Sequence, residues 1–532
     1  MSSTPWRTSD GSMSGAGWAR VTVIVATILG AVLRLFRLGS QSLWMDEVSS
    51  LRNARAFGQG GLDALARADQ VAPLHSITLW LSTVISGDTE VALRMPSVIA
   101  GVVLIPVMYL LGCRLLQSRW TGAIAALLVA ISPYAIWYSQ EARMYALLLL
   151  CTALAAYLAW PVTERPLRKW ELAAITFVTA IGFGMHHYMI LMCGAFGLFL
   201  LLRGQALKPR AWAWLATQVI AFLLFAGWLY LTRDRLGNVA GTEKPAFALW
   251  IPYTFFTYIA GFSFGPSTRD IQEAGRGAGR VVLSHAPAIA ALGVSCAVLG
   301  LAGVRHLWRH PERRAVGLWL LTWLIAPILL AVIATRVTNI RYNVRYVIVC
   351  YPALMLLFAV GIRQALGALA SAPSDRRRRI GAIVVAAAGL VLTVCLIASD
   401  GQLYANPHYA KEDGRSLAQA LRRLPADTVI VSDNNRVVKV LRYYHGRLPG
   451  DDIQVDYRTP RLSAERVWEN FTEIPPERRC DVALIEYRSW ETDPTGLLRR
   501  NMRATLRTVA QEAFPGVSVT RFRCAGSPGG QG

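Results

Sequence analysis

The stretch IGAIVVAAAGLVLTVCLIA, residues 380–398, carries no charge from end to end and follows four consecutive arginines at 376–379. An uncharged run of about 20 residues has the length of a helix crossing a hydrocarbon core of about 30 Å. Residues 21–32, 121–136 and 147–160 are uncharged in the same way. None of these runs alternates as barrel strands do, and only helices or closed barrels satisfy their backbone groups in lipid. The whole chain agrees: of 532 residues 54% are hydrophobic, and the mean hydropathy is +0.37. Soluble chains of this size are less apolar.

Working outward from 380–398, hydropathy marks candidate spans near 18–37, 92–113, 121–138, 143–160, 171–186, 188–203, 212–231, 282–304, 315–334, 345–366 and 380–398, about eleven in all. The first is read as a retained span, because Arg34 and Arg37 close it and no small-residue cleavage site follows. The net charge is +22, from 55 Lys and Arg against 33 Asp and Glu. These cations flank apolar runs and form no nucleic-acid-binding pattern, so no nucleic acid partner is expected.

The basic loops set an orientation. Arg114 with Arg119, then Arg165, Arg168 and Lys169, then Arg203, Lys208 and Arg210, then Arg305, Arg309, Arg313 and Arg314, and finally residues 376–379 recur at alternate connections. Placing them in the cytoplasm puts residues 38–91, 139–142, the His186-His187 turn, 232–281, 335–344 and everything after 399 on the opposite face. Two further apolar segments, 73–86 and 247–264, begin at or contain a proline and would invert this pattern if they crossed. They are read as helices at the outer interface.

After Ser399 the pattern changes. Residues 428–432 and 482–487 read as strands, and 415–424 and 497–509 as helices. The expected organisation is a transmembrane domain over 1–399 and a small extracytoplasmic α/β domain over 400–532. Of the eight cysteines, Cys113, Cys151, Cys193, Cys296, Cys350 and Cys395 lie in or beside apolar runs and read as packing residues. Cys480 and Cys524 lie in the polar C-terminal region and can pair if it is outside the cytoplasm. The sequon at Asn470 reads as chance.

Four constellations on the outer face carry chemistry. Asp46-Glu47 follows the first span beside Trp44. A carboxylate in such surroundings suits a general base, and equally an acidic pair suits the N-terminus of a following helix at 48–57. Glu141 and Arg143, in Tyr138-Ser139-Gln140-Glu141-Ala142-Arg143-Met144-Tyr145, sit between two spans, where an arginine can grip a lipid phosphate or pair locally with the glutamate. Arg341 and Arg345, in Arg341-Tyr342-Asn343-Val344-Arg345-Tyr346, break the positive-inside pattern, which suits anion binding or snorkelling anchors. His186-His187-Tyr188 forms a tight turn. With His75 it could supply a metal site, although no spacing requires one.

Leu43-Trp44-Met45-Asp46-Glu47, Ala72-Pro73-Leu74-His75, Ala92-Leu93-Arg94-Met95-Pro96-Ser97, residues 132–145 (SPYAIWYSQEARMY) and Val344-Arg345-Tyr346-Val347 ahead of Tyr351-Pro352 occur in an order that resembles the GT-C superfamily of membrane glycosyltransferases. The resemblance is to glycosyltransferase family 39, which includes protein mannosyltransferases and the aminoarabinose transferase. It covers 20–205 well, 315–360 fairly and the region beyond 400 weakly.

The resemblance implies a polytopic α-helical membrane protein of GT-C type with a small C-terminal α/β domain. It implies inverting transfer from a polyprenyl-phosphate-linked sugar to an extracytoplasmic lipid, glycan or protein, in the bacterial inner membrane, with the site on the periplasmic face. Asp46, with Glu47 beside it, falls on the base, and Glu141 on a second acidic position. Arg143, Arg345, His187 and Arg341 fall on or near donor-phosphate positions. His75, Tyr138 and Tyr346 are candidate donor or acceptor contacts, and Ala72-Pro73-Leu74-His75 departs from the family's Pro-Pro-Leu-Tyr. No nucleotide cofactor is expected, and a divalent metal is left open. The weighed alternatives are a sugar or lipid transporter, disfavoured because the two halves of the chain differ, and a non-catalytic envelope assembly protein.

Overall fold

A computed structural model describes residues 13–69, 71–233, 250–337, 342–371, 374–445 and 463–524. Arg341 lies outside the described residues, and so do 247–249 of the second interfacial segment. The chain is a multi-pass membrane protein. Among the described residues eight helices are long and apolar enough to cross a membrane, or nine counting one bent pair as a span. This is fewer than the about eleven read from hydropathy, because the runs at 171–186 and 188–203 form helices of only 17 and 14 residues. The described residues form two compact units: 1–38, 51–265 and 286–402 in the first, and 39–50, 266–285 and 403–532 in the second.

The first unit is helical. In order come α1 (Met13–Leu35), the greater part of α2 (Met45–Ala68), α3 (Pro73–Ser86), α4 (Glu90–Leu116), α5 (Arg119–Ala130), α6 (Pro133–Ser139), α7 (Tyr145–Ala159), α8 (Lys169–Met185) and α9 (Met189–Leu202). Helices follow at Pro209–Thr232, Trp250–Ala260, Ala286–Arg309, Arg314–Val337, Tyr351–Ala370 and Arg376–Ala405. Every apolar run read as a span is helical. The run 121–138 is two helices meeting at 60°, because Pro133 cannot donate to the preceding turn and Ser132 caps the new start by accepting from Ala135 N at 3.3 Å. The segment read as a short interfacial helix at 73–86 is α3, with Pro73 at its first position.

A short 3-10 stretch, Val344–Cys350, leads into Tyr351–Ala370, and the combined span Val344–Ala370 is the most buried of the candidates. Asn343 caps it, accepting from Arg345 N at 3.2 Å. Trp323 Nε1 donates to Val349 O at 2.7 Å, and the Tyr258 hydroxyl donates to Val347 O. Carbonyls left open by the tight winding are therefore satisfied by side chains from two other helices.

The second unit is built on a four-stranded sheet, β1 (Val429–Ser432), β2 (Asp481–Tyr487), β3 (Arg507–Phe514) and β4 (Val517–Arg523), in the order β1-β2-β4-β3. β1 and β2 pair in parallel, and β4 is antiparallel to both β2 and β3. The parallel strands are apolar runs, with β1 buried throughout, as expected where helices cover both faces. The helix read at 497–509 stops at Thr505, and 507 onward is β3. Leu506 already has extended dihedrals, and pairing with β4 overrides the helical spacing of the apolar residues. Cys480 and Cys524 lie one residue beyond the paired ends Asp481 and Arg523, with Cα atoms 4.7 Å apart, and are joined by a disulfide.

Two segments far from the C-terminus belong to this unit. Ser42 Oγ donates to Glu412 O at 2.9 Å and accepts from Gly414 N at 3.1 Å. Arg415 Nη2 donates to Gly39 O at 3.1 Å, and Lys411 N to Gln41 Oε1 at 3.2 Å. Likewise Arg269 Nη2 donates to Ala410 O at 3.2 Å, and His408 meets Asp270 at 2.9 Å.

Candidate active site

In the first unit, the turn 140–144 between α6 and α7 holds Glu141 and Arg143. Its start is fixed by Gln140, whose Nε2 donates to the carbonyls of Leu33, Arg34 and Phe36 at 3.4, 3.0 and 2.9 Å. These carbonyls lie in and just beyond the last turn of α1. Arg34 answers from α1. Its Nε donates to Ser139 Oγ at 3.1 Å, Nη1 to Ala130 O and Nη2 to Val129 O, both at 3.0 Å. A cation at the carbonyl end of α5 is favoured by the helix dipole as well as by hydrogen bonds. Arg34 is fully buried and spent on this task, so it is a structural cation.

Farther along the turn, His75 Nε2 donates to Ala142 O at 3.3 Å, and Ser97 Oγ donates to Arg143 O at 3.0 Å. A carbonyl only accepts, so Nε2 of His75 carries the proton. Burial, with Arg143 nearby, lowers the His75 pKa to about 4, which leaves the ring neutral at pH 7. Glu141 is almost fully buried and Arg143 is half-buried.

Arg143 and Arg345 converge on one ring. Their guanidinium carbons lie 5.8 and 5.9 Å from the centroid of Tyr145, within cation–π range. Tyr138 packs edge-on against Tyr145 at 5.1 Å. On the other side His186 lies 6.1 Å from Tyr145 and stacks on Tyr188 at 4.4 Å, and Tyr188 meets Tyr346 at 4.7 Å. His187 neighbours both His186 and Tyr188 at 4.4 Å. Burial holds the His186 pKa well below normal, with His187, Arg143 and Arg345 adding to it, and burial lowers His187 to about 4. The positive charge here therefore belongs to the arginines, and His187 offers a neutral ring. The ring contacts thus join three of the constellations read from sequence: Tyr138, Arg143 and Tyr145, then His186, His187 and Tyr188, then Arg345 and Tyr346.

In the second unit the adjacent acids have different fates. Glu47 is completely buried at the start of α2. Its Oε2 accepts from Trp44 N at 3.3 Å and lies 3.9 Å from Lys411 Nζ. It accepts from the backbone of the residue before α2, so it caps a helix that starts at Met45 rather than at 48, and it does so fully buried rather than in solvent. Asp46 is partly exposed. Trp44 beside it carries the Arg488 guanidinium 5.6 Å from its ring, and Arg488 is itself paired with Glu412 at 2.6 Å. Lys411 and Arg488 were missed from sequence: each is one cation in a basic chain, with no motif to mark it. Arg34 and Gln140 did leave a trace, a charge in the last turn of an apolar run and an amide between two spans. Among the described residues no group of three or more His, Cys, Asp or Glu side chains is placed to hold a metal ion.

A family model described as dolichyl-phosphate-mannose-protein mannosyltransferase matches residues 70–231. That match takes in α3 through Pro209–Thr232, and with them the turn 140–144 and His187. No curated protein matches the chain. Among solved structures, ArnT from Cupriavidus metallidurans in the apo state is similar with a TM-score of 0.53 at 13% identity, over 96% of this chain and 98% of that one. The oligosaccharyltransferase AglB from Archaeoglobus fulgidus, in complex with an inhibitory peptide and a dolichol-phosphate, is similar with a TM-score of 0.53 at 13% identity, over 96% of this chain and 74% of that one. The chain has the fold of these two proteins.

Proposed function

We propose that the protein is an inverting glycosyltransferase that moves a sugar, hexose or pentose, from a polyprenyl-phosphate-linked donor to an extracytoplasmic lipid, glycan or protein. The observation that carries this reading is the pair of arginines, Arg143 and Arg345, whose guanidinium carbons lie 5.8 and 5.9 Å from the centre of the Tyr145 ring. A departing phosphate carries concentrated negative charge, and fixed guanidinium groups in a site poor in water stabilise it without reorganising. The matching family's mannosyl-phosphate donor and the dolichol-phosphate held by AglB support a lipid phosphate as the group they meet.

Asp46 is the proposed base. It takes the proton from an acceptor hydroxyl, the oxygen attacks the anomeric carbon, and the bond to the lipid phosphate breaks on the opposite face. Glu47, spent on Trp44 and Lys411, is not the base. Glu141 lies two residues from Arg143 in the same turn and is proposed to help set its electrostatics. Residues 400–532 are proposed to form the extracytoplasmic domain that selects the acceptor. A periplasmic location is supported by the recurrence of basic loops at alternate connections, as cytoplasmic loops show, and by the Cys480–Cys524 disulfide, since disulfides persist in oxidising compartments.

The test is transfer by the purified protein from radiolabelled polyprenyl-phosphate sugars, with Asp46→Asn compared at unchanged melting temperature. Loss of transfer with retained donor binding is expected. Full activity in Asp46→Asn would falsify the base assignment, and no transfer by wild type across mannosyl, aminopentosyl and uronosyl donors would favour a transporter.

A further inference from the structure

The turn 140–144 is held from three separate helices, and each tie falls on a different residue. Gln140 is tied to the end of α1 by its amide, Ala142 O to α3 through His75, and Arg143 O to α4 through Ser97. His75 and Ser97 are 2% and 1% exposed, so both ties are shielded from competing water. Behind them Arg34 bonds Ser139, the residue just before the turn. Gly101, one helical turn beyond Ser97 on α4, allows the close approach: a Cβ there would lie 2.0 Å from Ser139 Oγ and 2.9 Å from Arg34 Nε.

We infer that Gln140, His75 and Ser97 are positioning residues for phosphate recognition, which aim Arg143 by fixing the backbone of its turn before the lipid arrives. The inference rests on the donor-phosphate reading of Arg143. An arginine side chain carries a large rotamer entropy, and a mobile backbone beneath it adds to what binding must overcome. Anchoring the backbone reduces that cost in advance. None of the three needs to touch the phosphate. His75 and Ser97 spend their hydrogens on carbonyls, and Gln140 spends its amide on α1. This gives His75, where the chain departs from the family's tyrosine, a task that an imidazole N–H performs and that does not require charge.

The experiment measures the affinity of the detergent-purified full chain for undecaprenyl phosphate, with melting temperatures recorded in parallel. Ser97→Ala and Gln140→Met are each expected to bind about three- to tenfold more weakly, the effect of roughly one hydrogen bond. Ser97→Thr keeps the hydroxyl and should restore binding. The decisive readout is coupling: Ser97→Ala should add nothing in an Arg143→Ala background, because it acts through that side chain. A full, additive effect on top of Arg143→Ala, or wild-type affinity in both Ser97→Ala and Gln140→Met, overturns the inference. If Arg143→Ala itself binds like wild type, the donor-phosphate reading falls and the inference falls with it.

Discussion

Arg143 and Arg345 stand 5.8 and 5.9 Å from the centre of the same Tyr145 ring. One comes from the turn that opens α7, the other from the 3-10 stretch ahead of Tyr351–Ala370. Like charges gathered around one ring repel each other, and an anion bound with them relieves the repulsion. The aromatic ring offsets part of it when no anion is bound.

Arg143→Ala and Arg345→Ala are therefore expected to raise the donor KM by about 10- to 100-fold each, the range for losing a hydrogen bond to a charged group. Lysine should restore only part, since it keeps the charge but not the planar fork. Steady-state kinetics against donor concentration check this. An unchanged KM in both alanine variants would count against the pair as the phosphate site.

The acidic pair should separate cleanly. Asp46→Asn should lower kcat by about a hundredfold or more, the scale of a lost general base, with little change in melting temperature. Glu47→Gln should do the reverse: it leaves Lys411 without its buried partner and lowers the melting temperature, while residual kcat per folded molecule stays near wild type. Equal losses of kcat in the two would undo the division of roles.

His75 makes stability depend on pH. Burial lowers its pKa from 6.5 to about 4, so the unfolded chain takes up a proton at a pH where the folded one does not. Stability from this residue is complete above pH 6.5 and falls as pH drops from 6.5 towards 4. The shift amounts to an order of 3 kcal/mol. Thermal melts at pH 7.5 and 5 should show a drop for wild type and a smaller one for His75→Asn. Parallel curves for the two proteins would refute the assignment.

The disulfide closes a loop of 44 residues across β2 and β4. Its removal, by reduction or by Cys480→Ser with Cys524→Ser, should destabilise the second unit by about 2–4 kcal/mol. Limited proteolysis of the C-terminal region should speed up accordingly. Unchanged cleavage rates would mean that the strand pairing alone holds that edge.

Much of this protein is written locally. Uncharged runs such as 380–398 have one stable outcome in lipid, so every run read from hydropathy as a span is helical, although 121–138 breaks into two helices and those at 171–186 and 188–203 are short. Short apolar runs bounded by polar residues identified β1 and β2, because strands buried on both faces read as continuous apolar segments. Pro133 announced a break, although not its angle. The reading of 497–509 failed where a neighbouring strand competed with helical spacing, and strand pairing is a non-local choice.

The candidate site is divided along the same line. Sequence alone selected Asp46, Glu141, Arg143 and Arg345 as candidates, because they fall on the face opposite the basic loops and within motifs that resemble the family's in order. It did not reveal that Glu47 would be consumed by Trp44 and Lys411, that residues 39–50 would join a unit built mainly from 403 onward, or that Arg143 and Arg345 would share Tyr145. Hydropathy acts on each segment alone, through contact with lipid or water. The partner of a buried charge is chosen by which segments the folded chain brings within a few ångströms, so only the tertiary structure decided it.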